Sequence, residues 1–135
     1  MTSLTFKKYK IYCDGAFSPS RNTGGIAFVI FNEEDKIVCE FFKKFHNTTN
    51  QRMEQLAVAI ALESIKSPSN ITIYSDSAYV VNTYEKNWKR KCNNDLWDRI
   101  DKAMSTHTVK FIHVKGHSDN RFNNYVDKLA VLINS

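Results

Sequence analysis

The sequence lacks several features that define whole classes of proteins. It has only three cysteines, an odd number without a C-x-x-C pair, which excludes a disulfide framework, argues against structural zinc and suits a reducing compartment. The longest apolar run, residues 56–62, is far shorter than the roughly 20 residues that span a bilayer. The first residues contain no apolar segment typical of a secretory signal. We therefore expect a cytoplasmic protein that does not enter a membrane.

Proline, glycine and repeated segments are also scarce. The chain has two prolines and four glycines and no linker or low-complexity tract, so we expect residues 1–135 to form a single domain. Hydrophobic residues make up 42% of the chain, which is enough for a core and too much for a disordered protein. The net charge of +5 is a weak indication of a polyanionic partner.

Hydrophobic periodicity predicts an α/β fold. Five strands are predicted, at residues 7–13, 25–31, 36–45, 71–75 and 108–114. The first three are joined by short loops and should be antiparallel, whereas the last two follow helical segments and should each run parallel to a neighbour. Helical spacing over residues 50–66, 76–87, 95–104 and the C-terminal stretch gives the order β-β-β-α-β-α-α-β-α. The third strand is the most polar of the first three, which is typical of a sheet edge.

Four acidic residues lie near the ends of these predicted elements. Asp14 ends the first strand and Asp76 the fourth, Glu54 lies in the first turn of the helix after the third strand, and Asp127 opens the last helix. If the fourth strand docks beside the first, their carboxyl ends meet at one edge, where open α/β sheets bind ligands. Clustered carboxylates repel one another and are tolerated mainly when a hard cation neutralises them. Oxygen-only ligands select Mg²⁺ or Mn²⁺.

Each acid alone also has a structural explanation. Asp14-Gly15 can be a turn signal, although we expect a loop of nine or ten residues there rather than a tight hairpin. Asp76 can cap the helix that follows it. Glu54 and Asp127 can complement helix macrodipoles from a first turn. These explanations weaken if all four carboxylates converge.

Five segments together resemble type 1 ribonuclease H. They are Tyr12–Ala16, Thr48–Glu54, Tyr74–Val80, Val114–His117 and Asn123–Ala130. Their order and spacing agree with that family over residues 9–133, nearly the whole chain. The resemblance implies the ribonuclease H-like fold, a five-stranded mixed sheet in strand order 3-2-1-4-5 flanked by helices, which agrees with the element order above.

The resemblance also implies an activity and its residues. The family hydrolyses the RNA strand of RNA/DNA hybrids, leaving 5′-phosphate and 3′-hydroxyl ends, and this chain would do so as a monomer. Asp14, Glu54, Asp76 and Asp127 occupy the positions that hold two Mg²⁺ ions, for which Mn²⁺ can substitute. His117 occupies the position of a loop histidine that shuttles protons or eases product release; an ordinary polar loop histidine is the alternative.

Substrate contacts follow from the same resemblance. Gly15, Asn50 and Gln51 match positions that sense the 2′-hydroxyls distinguishing RNA from DNA. Thr49 matches a position that seats a phosphate of the DNA strand, and it can cap a helix as well. A basic cluster with an embedded tryptophan suits phosphate contacts and stacking, unless it is only a solvated helix end. This cluster consists of Lys86, Trp88, Lys89, Arg90 and Lys91. Trp97 is expected in the core.

The chain departs from the family in places. The segment between Asp76 and Asp95 is too short for the basic protrusion of many members. Ser20 and Asn124 replace a usual Asn and Glu, and Asp119 replaces a common Gly. Three other functions stay open: a different nuclease of the same fold, a non-enzymatic hybrid-binding module, and a subunit that needs a partner.

Overall fold

The computed structural model describes residues 6–115 and 120–134, without the side chains of residues 133 and 134. The elements are β1 (Lys7–Ser18), β2 (Thr23–Phe31), β3 (Ile37–His46), α1 (Asn50–Glu63), β4 (Ser69–Ser75), α2 (Ala78–Glu85), α3 (Asn94–Met104), β5 (Thr108–His113) and α4 (Arg121–Asn134). This order confirms the one predicted from periodicity.

All five strands form one mixed sheet in the order β3-β2-β1-β4-β5. β1 pairs antiparallel with β2, and β2 pairs antiparallel with β3. β4 lies parallel to both β1 and β5. The predicted fold is therefore confirmed. β3 is an edge strand of the sheet, as its more polar sequence indicated. Ile37, Val38 and Phe42 of this strand are exposed.

The first hairpin differs from the prediction. β1 does not end at Asp14 but continues to Ser18, which pairs with Thr23 across a short turn, so the expected long loop is wrong. Asp14-Gly15 and Gly24 are both patterns common in turns, but here both lie inside strands. Gly24 lies inside β2, where a Cβ atom would approach Met53 Sδ of α1 to 2.6 Å. A side chain at this position would force the Met53 side chain to move, so Gly24 lies at a close contact between helix and sheet and not in a turn.

Helices cover the sheet from both faces. α1, α2 and α3 enclose the larger core, which contains Ile11, Phe28 and Ile73 and includes Trp97 at 1% exposure, as expected for that tryptophan. α4 packs on the opposite face, where Val126 and Ala130 meet residues of β2. In the described part of the chain, no helix combines the length and apolarity needed to cross a bilayer.

Candidate active site

Three carboxylates meet at one edge of the sheet. Carboxylate oxygens of Asp14, Glu54 and Asp76 all lie within 4.8 Å of one another. The parallel pairing of β1 with β4 ends at Tyr12 and Tyr74. Asp14 lies just beyond that point in β1, and Asp76 directly follows β4. The two strands therefore deliver both acids to the same place, as the sequence predicted.

Helix α1 brings in the third acid. Its N-cap is Thr49, whose hydroxyl accepts a hydrogen bond from Arg52 N at 3.2 Å. Glu54 consequently lies in the second turn, so its predicted place in the first turn is wrong. Gly15 sets how closely α1 approaches β1, because a Cβ atom there would lie 2.5 Å from Met53 C and 2.6 Å from Glu54 N. The glycine thus lets Glu54 stand beside Asp14.

The fourth acid reaches the group through Asp14. The side chain of Asn120 accepts a hydrogen bond from Asn123 N at 3.0 Å, so α4 begins at Arg121. Asp127 accordingly lies in the second turn and does not open the helix, which corrects the prediction. Its carboxyl is close enough to Asp14 to help raise the pKa of that residue.

The helix-cap explanation for Asp76 and the first-turn dipole explanation for Glu54 do not hold. The N-cap of α2 is Ser77, whose hydroxyl accepts from Val80 N at 3.2 Å, and α1 has no acidic residue in its first turn. The Asp76 side chain is therefore available to the cluster of acids. The backbone carbonyl oxygen of Asp76 forms a hydrogen bond with His113 Nε2 at 3.2 Å.

Burial and mutual repulsion disfavour the charged forms of these acids. Burial raises the pKa of Glu54 to about 7, a hydrogen bond from Ser77 opposes that rise, and the charge of Asp76 adds to it. Burial is also the main reason why the pKa of Asp14 is raised, followed by its contacts with Asp76 and Asp127. A divalent cation bound between these acids would favour their charged forms and lower their pKa values again. A group of carboxylate oxygens is also the kind of ligand set that hard divalent cations prefer.

Comparison with known proteins agrees with this arrangement. The family model for RNase H matches residues 6–133. The chain belongs to the RNase H family. It is 41% identical over 139 residues to "Ribonuclease H" of Acetivibrio thermocellus, covering 92% of each chain. It is 43% identical over 141 residues to "Ribonuclease H" of Clostridium botulinum strain Hall, covering 92% of this chain and 93% of that one.

Solved RNase H structures share the fold at lower identity. The N-terminal RNase H domain of Rv2228c from Mycobacterium tuberculosis superposes with a TM-score of 0.82 at 19% identity, covering 94% of this chain and 93% of that chain. LC11-RNase H1, solved in complex with an RNA/DNA hybrid, has a TM-score of 0.78 at 20% identity, covering 93% of this chain and 96% of that chain.

The residues matched to RNase H substrate contacts lie beside the carboxylates. Thr49, Asn50 and Gln51 are exposed at the N-terminus of α1, next to the buried Gly15. Asn50 Nδ2 also donates to Glu54 Oε1 at 3.4 Å, which links this polar row directly to the metal-binding candidates. Thr49 is the N-cap of α1, and it is also exposed at the sheet edge that carries the carboxylates, where a ligand can reach it.

The basic cluster divides into exposed and anchored residues. Trp88, Lys89 and Lys91 line an open groove of about 430 Å³ together with Tyr79 and Cys92. Arg90 instead forms two hydrogen bonds of 2.6 and 3.0 Å with Asp101. Its guanidinium also lies over the rings of Tyr84 and Trp97. Arg90 therefore anchors the segment that presents its neighbours.

A polar network joins this segment to α1, and sequence reasoning missed it. Arg52 pairs with Asp95 at 2.7 Å and donates to Asn93 Oδ1 at 3.2 Å. Asn93 donates in turn to Tyr79 Oη at 3.3 Å. These partners are far apart in the chain, so no local spacing reveals them. Ser77, which contacts Glu54, was also missed, although its place directly after Asp76 is a signal that could have found it.

Two positions of interest lie outside the described residues. They are His117, the expected proton-transfer residue, and Asp119, one of the departures from the family pattern.

Proposed function

We propose that this chain is an endoribonuclease that hydrolyses the RNA strand of RNA/DNA hybrids, leaving 5′-phosphate and 3′-hydroxyl ends. The main support is the group of Asp14, Glu54 and Asp76, whose oxygens lie within 4.8 Å of one another at one sheet edge. The family's curated relatives are named ribonuclease H, and the structurally similar LC11-RNase H1 binds an RNA/DNA hybrid.

The carboxylates supply the ligands for divalent cations. Asp14, Glu54, Asp76 and Asp127 would hold two Mg²⁺ ions, and Mn²⁺ would substitute because it also prefers oxygen ligands. Bound cations would neutralise charge at the scissile phosphate and lower the pKa of the attacking water. The donor set fits this role because the structure gathers carboxyl groups whose ionisation is otherwise disfavoured.

Residues around the carboxylates would hold the hybrid. Gly15, Asn50 and Gln51 would contact 2′-hydroxyls of the RNA strand, and Thr49 would contact a phosphate of the DNA strand. These residues sit at the same edge as Glu54, so contacts to the RNA sugar and to the scissile bond would be made together.

The basic segment would hold the hybrid further from the reacting bond. Lys89 and Lys91 would contact phosphates and Trp88, 48% exposed, would stack on a sugar or base. Arg90 would contribute mainly by fixing this segment, since its guanidinium is engaged by Asp101. The segment is short, so it would replace the protrusion of other members with a fixed groove.

His117, the oligomeric state and the location of the protein complete the proposed function. His117 would transfer protons or assist product release, because imidazole titrates near neutral pH. Residues 1–135 would act as a single catalytic domain, as a monomer and in the cytoplasm.

A substrate panel tests the proposal. The purified chain is incubated with Mg²⁺ and one labelled sequence prepared as RNA/DNA hybrid, RNA duplex, DNA duplex and four-way junction. We expect cleavage of the hybrid only, within its RNA strand. Preferential cutting of the junction or the DNA duplex would instead show a different nuclease of the same fold. Binding of the hybrid without cleavage would show a binding module or a subunit that needs a partner.

A further inference from the structure

The side chain of Asn123 is a buried amide without a hydrogen-bond partner among the residues that the structure describes. It is 1% exposed, and neither Nδ2 nor Oδ1 has a hydrogen bond with any residue in 6–115 or 120–134. Leaving such a group unpaired costs about 1–3 kcal/mol. Few buried polar groups in folded proteins are left in this state, and each calls for an explanation.

The position of Asn123 suggests what this amide is for. It lies one helical turn before Asp127 on α4, and side chains four residues apart on a helix have Cβ atoms about 5–6 Å apart on the same face. Val126 and Ala130 belong to that face and are buried against β2. Asn123 therefore lies on the sheet-facing side of α4, beside the acid that reaches Asp14.

Folding alone does not favour asparagine at this position. Leucine has the same branched shape and carries no polar atoms, so it would fill the space without an unpaired donor or acceptor. A buried polar residue that the fold does not use is an expected mark of a functional site.

We propose that Asn123 is a positioning residue for Asp127, and that its Nδ2 donates a hydrogen bond to the Asp127 carboxylate when the acids hold a cation. The amide would keep the Asp127 carboxylate oriented toward Asp14. This inference rests on the proposed function, since it assumes that the carboxylates bind Mg²⁺. Groups that orient a metal ligand typically change metal affinity by about 10–100-fold.

The test compares Asn123→Leu with the matched control Gln55→Leu. Gln55 is also fully buried, and its Oε1 also has no partner among the described residues. Its Nε2, however, donates to Asn93 O at 3.5 Å, at the N-cap of α3. Melting temperatures are measured in EDTA and over a Mg²⁺ titration, and Mg²⁺ binding is measured by calorimetry. These readouts do not depend on catalysis.

We expect Asn123→Leu to be at least as stable as wild type in EDTA, yet to need roughly ten times more Mg²⁺ for the same thermal stabilisation. Gln55→Leu should keep the wild-type Mg²⁺ dependence. An unchanged Mg²⁺ dependence in Asn123→Leu would overturn the inference. If Asn123→Leu does not fold, Asn123→Ala is measured in the same way, with the same expected loss of Mg²⁺ affinity.

The two proposals fail in distinguishable ways. If wild type neither binds Mg²⁺ nor cuts the hybrid, the proposed function fails and takes the role of Asn123 with it. If wild type binds Mg²⁺ and cuts the hybrid while both asparagine variants titrate like wild type, only the role of Asn123 is refuted.

Discussion

Glu54 gives the sharpest prediction about the metal-free protein. Its pKa rises from 4.5 to about 7 because the carboxyl is buried and faces Asp76. Above pH 4.5 the unfolded chain has lost this proton while the folded chain still holds it, so the stability of the fold falls as pH rises. The loss is complete once the pH exceeds about 7.

The size of the effect follows from the same two values. The difference between 4.5 and about 7 corresponds to roughly 3 kcal/mol. The variant Glu54→Gln keeps the shape of the side chain and removes its charge. We therefore expect it to be more stable than wild type at pH 8 by up to roughly 3 kcal/mol. For a chain of 135 residues this corresponds to a melting temperature higher by roughly 10 °C.

Urea and thermal unfolding in EDTA, from pH 4 to pH 8, would measure this difference. The gain of Glu54→Gln over wild type should be absent near pH 4, grow between about pH 4.5 and 7, and then level off. Glu34→Gln is the matched control, because Glu34 is exposed on the turn before β3 and far from the acids. A gain that is equal at pH 4 and pH 8, or no gain at pH 8, would refute the reasoning.

Three further variants test other parts of the structure. Gly15→Ala should lower the free energy of unfolding by about 1–3 kcal/mol, because the new methyl group would lie 2.5 Å from Met53 C; a urea titration that matched wild type would contradict the tight contact. Lys89→Ala should weaken hybrid binding and reduce the slope of log affinity against log salt concentration by about 1, because one phosphate contact is lost. Its melting temperature should not change. Arg90→Ala should instead lose about 1–2 kcal/mol of stability, because its ion pair and ring contacts are removed. A destabilised Lys89→Ala together with an Arg90→Ala of wild-type stability would refute the division of the basic cluster.

The sequence predicted the sheet and the convergence of acids for a simple reason. Alternation marks strands, a helical crossover makes the next strand parallel, and parallel neighbours end at the same edge. The sequence alone could thus bring Asp14 and Asp76 together. The residue-level errors concern where elements start and stop, at Ser18 for β1 and at Arg121 for α4. Those boundaries depend on tertiary contacts and caps that periodicity does not reveal.

The glycines show most clearly what local sequence patterns do not reveal about the fold. Gly24 carries the same local signal whether it forms a turn or lets a helix approach a strand, and only the position of Met53 distinguishes the two. In the same way, the pairing of Arg90 with Asp101 and of Arg52 with Asp95 joins segments whose relative placement the sequence does not specify. Helical spacing predicted the C-terminal helix, but nothing in that spacing marked Asn123 as a buried residue without a partner among the described residues.

The central claim is that the carboxylates at the sheet edge carry out hydrolysis of RNA in a hybrid. Its most direct test is Mg²⁺-dependent cleavage of a labelled RNA/DNA hybrid by wild type, by Asp14→Asn and Asp76→Asn, and by Asp35→Asn. The last variant makes the same chemical change at an exposed residue that pairs with Lys10. We predict that wild type and Asp35→Asn cut the RNA strand, while the other two lose about a thousandfold in rate or more with unchanged circular dichroism. Full activity in folded Asp14→Asn or Asp76→Asn would contradict the account.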